Sequence, residues 1–271
     1  MSNASASSGS DDWPMFHHDP VHDGYSTSTA PSTNLTIWKY KTGGWVGSPI
    51  AANGKVYVTS NDGDVYCLDA FSGAFVWSYN IAGSAESTPA IAEGNVYVGS
   101  ADKNVYCLDA LTGAKVWNYT TGDQVQSSPL VTGGIVYVGS DDQNVYALNV
   151  SNGALIWNYT TGNRVHSSPA IANGNLYIGS NDHNIYCLDG ANGALIWKYN
   201  TGNWVYSSPA LADGKAYFGT DGGYIYALNA SNGAFIWQYS TVFGDESCPA
   251  VVDGKVYVGS DDLNVYLFRR F

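Results

Sequence analysis

Positive charge is scarce in this sequence, and long apolar runs are missing. The 271 residues include 11 lysines and arginines against 23 aspartates and glutamates, which gives a formal net charge of −12. Nucleic-acid phosphates and anionic membrane surfaces would be repelled, so we expect neither as a partner. No apolar run reaches the roughly 18 residues of a membrane-spanning helix, so we expect no membrane insertion.

Paired cysteines and catalytic motifs are also lacking. Three of the four cysteines, Cys67, Cys107 and Cys187, occupy one position of a repeated unit, and successive copies of such a position lie too far apart for a disulfide. No G-x-S-x-G, H-E-x-x-H or P-loop pattern occurs. The sequence therefore predicts free thiols, no catalytic residues and no enzymatic activity.

Repetition is what the sequence has in quantity. Tryptophan recurs with one spacing of 39 residues and four of 40, at Trp38, Trp77, Trp117, Trp157, Trp197 and Trp237. A period near 40 that carries several short strands is typical of a β-propeller. No apolar series keeps a helical spacing beyond one turn. We therefore predict an all-β chain whose propeller is a single domain over 35–271.

The third unit shows how one repeat forms one blade. Four strands are predicted, at 127–131, 135–140, 145–149 and 154–160. Gly133-Gly134 suits the type I′ turn of a tight hairpin, and an Asp-x-Asn turn follows the second strand. Four antiparallel strands joined in sequence make a meander, so we predict four-stranded blades.

Ring closure is predicted from the two ends of the repeat array. The last unit has three strands, and the tryptophan of NLTIWKYKT has no preceding strands of its own. We expect residues 35–41 to complete the sixth blade beside Val265–Leu267, which leaves a monomer. The predicted blade cores span about 46–80, 86–120, 126–160, 166–200, 206–240, and 246–269 with 35–41.

The N-terminal region precedes these repeats. MSNASASSGSDD has neither the basic region nor the apolar core of a secretion signal. We interpret residues 1–11 as a flexible tail and residues 12–34 as a segment that packs on the propeller.

The third turn carries a recognisable motif in five of the units. CLDALTGAKVW (107–117) and ALNVSNGALIW (147–157) represent five copies of it. They resemble the A-x-D-x-x-T-G-x-x-x-W motif of pyrroloquinoline-quinone (PQQ) repeat propellers, and the likeness covers 12–271. The resemblance implies that the six tryptophans pack between blades. It also implies a role like that of the family's non-enzymatic scaffolds, surface proteins and sensor domains, and so an extracellular or cell-envelope location.

Positions that differ between such similar units are candidates for binding. Two slots in the loop before each first strand hold large or charged side chains in some units, and these loops are expected at one end of the channel. The candidates for a protein or glycan ligand are Trp45, Arg164, His166, Trp204 and Tyr206. Aromatic faces stack on sugars or side chains, and arginine offers directional donors. Neutral drift of exposed loops is the alternative.

Acidic and histidine groups offer two metal hypotheses. An aspartate recurs in the second turn, at Asp62, Asp102, Asp142, Asp182 and Asp262. Carboxylates in a ring suit Ca²⁺, but turn capping explains the same residues and we favour it. HHDPVHD (17–23) has ligand types for a transition metal, although hydrogen bonding over the propeller is the preferred reading. We expect no metal and no cofactor.

We interpret the chain as a non-catalytic scaffold or binding module of a surface or envelope protein. One alternative is a quinoprotein-type or other enzyme with its site at the channel mouth. Another is a recently amplified or engineered repeat propeller without a selected ligand, which the agreement between units would suit.

Overall fold

The computed structural model describes residues 12–22, 32–241, 244 and 247–269. These residues form 23 strands in six antiparallel sheets, each a meander in chain order, here called blades 1 to 6. No helix occurs in these ranges, and so none that could cross a membrane. The all-β prediction is therefore confirmed, while residues 1–11 and 23–31 of the predicted tail and N-terminal segment lie outside the described part.

The strand bounds repeat closely from blade to blade. Blade 1 contains β1 (Ile50–Ala52), β2 (Lys55–Thr59), β3 (Asp64–Asp69) and β4 (Phe75–Asn80), and blade 2 contains β5 (Ala90–Ala92), β6 (Asn95–Gly99), β7 (Asn104–Asp109) and β8 (Lys115–Thr120). Blade 3 contains β9 (Leu130–Thr132), β10 (Ile135–Gly139), β11 (Asn144–Asn149) and β12 (Leu155–Thr160), and blade 4 contains β13 (Ala170–Ala172), β14 (Asn175–Gly179), β15 (Asn184–Asp189) and β16 (Leu195–Asn200). Blade 5 contains β17 (Ala210–Ala212), β18 (Lys215–Thr220), β19 (Tyr224–Asn229) and β20 (Phe235–Ser240), and blade 6 contains β21 (Ala250–Val252), β22 (Lys255–Gly259) and β23 (Val265–Arg269).

The innermost strands are shorter than predicted. In blade 3 the strand begins at Leu130, not Ser127, because Pro129 has no N–H to give to a ladder. The N–H of Ser128 instead donates to Ser168 Oγ of the next blade at 2.9 Å. Residues at the start of an inner strand thus bind the neighbouring blade as well as their own.

A chain of such bonds links blades 2 to 6. The N–H groups of Thr88, Ser128, Ser168 and Ser208 each donate to the side chain one repeat further on. The last acceptor is Cys248 Sγ, at 3.3 Å from Ser208 N. Small hydroxyl-bearing residues at this repeat position therefore fix the spacing between neighbouring blades.

The recurrent tryptophans also join neighbouring blades. Trp77 Nε1 donates to the carbonyl of Ala110 at 3.1 Å, and its ring lies against Gly113. Gly113 has φ +73°, and a Cβ there would lie 2.6 Å from the indole, so only glycine fits. The same indole-to-carbonyl bond is made by Trp38, Trp117, Trp157 and Trp197.

The N-terminal segment, residues 12–22, lies across the inner strands. Trp13 pairs with Ala51 of blade 1 through two backbone bonds, and Pro14 accepts a bond from blade 2. Pro20 and Val21 accept bonds from the inner strands of blades 4 and 5. The segment therefore extends from blades 1 and 2 to blades 4 and 5, and it lies beside the first hairpins, where Asn53 N donates to Asp12 Oδ1.

The predicted closure of the sixth blade is not seen. Residues 35–41 have no strand assignment, and blade 6 has three strands with β23 outermost. Val265 of that strand is 79% exposed. Trp38 reaches blade 1 through its side chain, by donating to the Ala70 carbonyl at 3.1 Å. This contact places the segment beside blade 1 without requiring a ladder to β23.

Candidate functional site

The loops that precede the inner strands and the second turns lie at one end of the blades, here called the mouth. Each loop is bonded to the second turn of its own blade, as where Asp141 N donates to the Gln124 carbonyl at 2.9 Å. The first hairpins lie at the opposite end, where Ala110 N donates to the Gly94 carbonyl. The N-terminal segment is therefore at the far end from the mouth.

A buried carboxylate stands at the mouth between blades 3 and 4. The side chain of Asp141 is only 5% exposed, and its Oδ1 lies 2.8 Å from Nε2 of His166. Arg164 approaches the other carboxylate oxygen at 3.9 Å and is itself 58% exposed. Burial raises the pKa of Asp141, and the charges of His166 and Arg164 oppose that rise.

Two aromatic residues of blade 5 extend this group. The ring of Tyr206 meets that of His166 edge to face, with centroids 5.2 Å apart. Trp204 packs against Tyr206 in the same manner at 5.8 Å and is 42% exposed. We call Asp141, Arg164, His166, Trp204 and Tyr206 the mouth cluster.

Four of the five candidates predicted from the sequence thus come together, and Trp45 does not. Trp45 belongs to the loop of blade 1, is 85% exposed, and has no aromatic partner within the described part of the chain. It lies in the same repeat slot as Trp204 but without the polar neighbours. It is therefore a natural comparison for the cluster.

Sequence reasoning missed Asp141 and its counterpart in blade 4, Asn181. Each follows a serine at the end of the second strand of its blade. This position also varies between units, which hold Asn61, Ala101, Asp141, Asn181, Asp221 and Asp261. That variation was the available signal. Asn181 is buried and its N–H donates to the carbonyl of Arg164 at 2.9 Å, so it adjoins the mouth cluster.

Several buried polar atoms here lack a well-oriented hydrogen bond. Among the described residues, Asp141 Oδ1, His166 Nε2 and Asn181 Oδ1 have no partner of suitable geometry. The first two lie 2.8 Å apart and face each other as donor and acceptor, so Asn181 Oδ1 is the atom left without a partner. Such unsatisfied groups are uncommon in folded proteins and call for a physical explanation.

The recurrent aspartates of the second turn are engaged within their own turns. Asp142 accepts bonds from Asn144 N at 3.0 Å and from Tyr146 Oη at 2.7 Å, and it also binds Gly122 N. The same Tyr-to-Asp bond recurs at Asp62, Asp102, Asp182 and Asp262. The contacts give these carboxylates a turn-capping role.

Three solved structures are similar in fold. BamB from Moraxella catarrhalis matches with a TM-score of 0.73 and 20% identity, over 88% of this chain and 73% of that one. Quinohemoprotein alcohol dehydrogenase ADHIIG from Pseudomonas putida HK5 gives 0.79 and 18%, over 92% of this chain and 57% of that one. A europium-containing methanol dehydrogenase gives 0.80 and 15%, over 92% and 68%. At these identities the likeness shows the fold alone.

The similarity to quinoproteins raises the question of a metal-bound quinone. Such a metal needs several oxygen ligands that converge. Over the described ranges, no three His, Cys, Asp or Glu side chains are placed to hold a metal ion. The oxygens of the turn aspartates accept hydrogen bonds from local donors, and the carboxylate of Asp141 contacts His166 and Arg164. The residues do not fit this group.

A comparison with curated protein sequences found no match. The sequence model described as outer membrane protein assembly factor BamB, however, matches residues 22–168 and 160–270. These ranges include the six sheets and the mouth cluster. The chain therefore belongs to that family of PQQ-like repeat β-propellers.

Proposed function

We propose that this protein is a non-catalytic binding scaffold that takes a protein or glycan partner at the mouth cluster. The observation that carries the proposal is the contact of His166 with Tyr206, and of Tyr206 with Trp204, across blades 4 and 5, next to Arg164, which approaches the same Asp141 as His166 does. These residues come from different repeats, in slots where the other units hold other side chains. Differences of this kind on a uniform framework are typical of a binding surface.

Family membership supports a protein-binding role and a location in the cell envelope or outside the cell. The related structure is a BamB, whose family is described as an outer membrane protein assembly factor. An excess of acidic side chains suits a soluble module that projects from a surface. The dehydrogenase relatives favour a second candidate, an enzyme with its site at the mouth.

Closure of the ring belongs to the same proposal, because a binding face needs a stable frame. Trp77 lies opposite Cys67 in blade 1, and Trp157 lies opposite Ala147 in blade 3. Extending this register places Trp38 opposite Leu267 and Lys41 opposite Asn264. Pairing in this register would cover the exposed edge of β23 and give a six-bladed monomer.

Retention of partners from an envelope extract of the source organism tests the binding role. The intact chain should retain a protein or glycan that a double variant, Arg164→Ala with Tyr206→Ala, binds about ten-fold more weakly when the partner is purified. Leu111→Ala, at an exposed turn of the opposite end, is the matched control and should bind as the parent does.

The enzyme alternative is tested on the same protein. Adding quinone and Ca²⁺ should give no dye reduction with primary alcohols. Quinone-dependent turnover, or equal retention of every partner by the double variant, would overturn the proposed function.

A further inference from the structure

Blades 1 to 4 hold the third turn of the following blade in the same way. In blade 1, Trp77 Nε1 and Tyr57 Oη donate to one acceptor, the carbonyl of Ala110, at 3.1 and 3.2 Å. The corresponding pairs of blades 2, 3 and 4 donate to the carbonyls of Val150, Gly190 and Ala230. Each docked turn is therefore held through a single carbonyl oxygen that accepts from a tryptophan and a tyrosine.

The docked turn has a defined chemistry. Asp109 begins it, because its Oδ1 accepts hydrogen bonds from the N–H groups of Leu111 and Thr112 at 3.1 and 2.7 Å. Gly113 ends it against the face of Trp77, where no side chain fits. An aspartate or asparagine (Asx) likewise begins, and a glycine ends, the turns that dock on Trp38, Trp117, Trp157 and Trp197. The ligand of each tryptophan is thus an Asx-x-x-x-Gly turn.

Blade 5 has the same pair of donors without such a turn. The rings of Tyr217 and Trp237 have centroids 6.0 Å apart at 44°, close to the 5.9 Å and 49° of Tyr57 and Trp77. Within the described part of the chain, neither Trp237 Nε1 nor Tyr217 Oη has an acceptor. With Phe268 of blade 6, these two residues line an open groove of about 990 Å³, here called the blade 5 groove.

Blade 6 has no Asx residue with which to begin its third turn. Arg269 lies at the position of Asp109, since the ladder pairs Arg269 with Lys255 as it pairs Asp109 with Asn95. A guanidinium only donates hydrogen bonds, so it cannot accept from the N–H groups of a turn. The blade 5 groove therefore keeps a docking pair of donors while its neighbour lacks the residue that forms the usual ligand.

Charge at the blade 5 groove favours an aspartate over an asparagine in a docked turn. Lys215 and Arg269 line the groove, and Lys255 lies opposite Arg269 in the ladder. Asp213 is the one carboxylate among the described lining residues. Three of the chain's 11 basic side chains are thus gathered in a protein whose formal net charge is −12. They would attract a carboxylate brought in by a ligand.

A second copy of this chain is a poor source of the turn. The five Asx-x-x-x-Gly turns of the described chain already lie against tryptophans, namely Trp38, Trp77, Trp117, Trp157 and Trp197. Release of one of them would break the contact between two blades. The ligand is therefore expected from another protein.

We propose that the blade 5 groove binds an exposed Asp-x-x-x-Gly turn of a partner protein, whose second residue offers its carbonyl to Trp237 Nε1 and Tyr217 Oη. This inference goes beyond the proposed function, because the blade 5 groove and the mouth cluster share no residue.

Nuclear magnetic resonance titration of the intact chain with a cyclic peptide that contains Asp-Ala-Leu-Thr-Gly, the turn of residues 109–113, tests the site. The indole N–H signal of Trp237, assigned by its loss in Trp237→Phe, should shift with a Kd of about 1 mM or tighter. Tyr217→Phe should weaken binding about five-fold, because it removes one hydrogen bond. Trp204→Phe, at the mouth, is the matched control and should leave the Kd unchanged.

Two further changes test the chemistry of the turn. A peptide with valine in place of the glycine should bind about ten-fold more weakly, because its side chain would meet the indole. Lys215→Glu, which leaves the docking pair in place, should weaken binding of the aspartate peptide more than that of an asparagine peptide.

No shift of the Trp237 signal, or equal binding of the glycine and valine peptides, would overturn the assignment. Binding only after removal of Arg270 and Phe271 would also overturn it, because the chain's own end would then fill the groove in the intact protein. Retention of a partner at the mouth cluster depends on other residues, so either proposal can fail alone.

Discussion

Position 263 shows how the backbone of the second turn limits the choice of residue. The equivalent residue has positive φ in every blade, and blades 1 and 5 place Gly63 and Gly223 there. Leu263 adopts φ +71° in blade 6 and is 95% exposed, so the strain has no packing to compensate it. A left-handed conformation costs a residue with a Cβ about 1–2 kcal/mol.

Leu263→Gly is therefore expected to stabilise the protein. The gain in unfolding free energy should be up to about 1 kcal/mol, because the relief of strain exceeds the extra chain entropy of glycine. Urea denaturation measures it. Gly63→Leu, the reverse change at the same turn position, should lower the stability, and a loss with Leu263→Gly would contradict the account.

The sequence alone identified four exposed or half-buried side chains of the mouth cluster, but it did not identify their buried neighbours. The slots of Arg164, His166, Trp204 and Tyr206 differ between units, and that difference is visible in a single chain. Asp141 and Asn181 matter because they are buried polar side chains beside Arg164 and His166. Burial depends on neighbours from other blades, which the spacing of residues does not specify.

Among the elements, the N-terminal segment departs most from the repeat pattern. The sequence predicted that it packs on the propeller, but its bonds to four inner strands have no counterpart in the repeats. Within it, His22 is buried next to His17, and Phe16 meets its ring edge to face at 5.4 Å. Burial and the neighbouring His17 lower the pKa of His22 to about 3.

Stability should consequently fall with acidification. Between pH 6.5 and about 3 the unfolded chain binds a proton at His22 that the folded chain does not, so folding weakens as the pH drops. The loss between pH 6.5 and 5 should be about 1.5 kcal/mol, measured by denaturant unfolding. His22→Gln should flatten this part of the profile. An unchanged profile in His22→Gln would refute the assignment.

For the whole molecule, sequence periodicity predicted six repeating sheets, and the described residues form six. Periodicity could not predict whether residues 35–41 pair with β23. Repetition shows which residues are equivalent, but it does not show whether the two ends of the repeat array meet. Trp38 contacts blade 1 as its counterparts contact their neighbours, yet β23 keeps an open edge. Closure is therefore the principal structural proposal still to be measured.

Cysteine substitutions at two exposed residues, Lys41 and Asn264, test that closure. If the two residues face each other in the extended register, Lys41→Cys with Asn264→Cys should oxidise within one molecule and raise the stability by about 4 kcal/mol. Non-reducing electrophoresis and thermal unfolding report the outcome. The pair Lys41→Cys and Leu111→Cys is the control and should not close. A bond between molecules, or none, would contradict the six-bladed monomer.

Residues 12–22 bind inner strands of blades 1, 2, 4 and 5 at the end remote from the mouth. A long chain that passed lengthwise between these strands would meet this segment before it could emerge. We therefore expect a partner to approach the mouth with a projecting loop or a chain end.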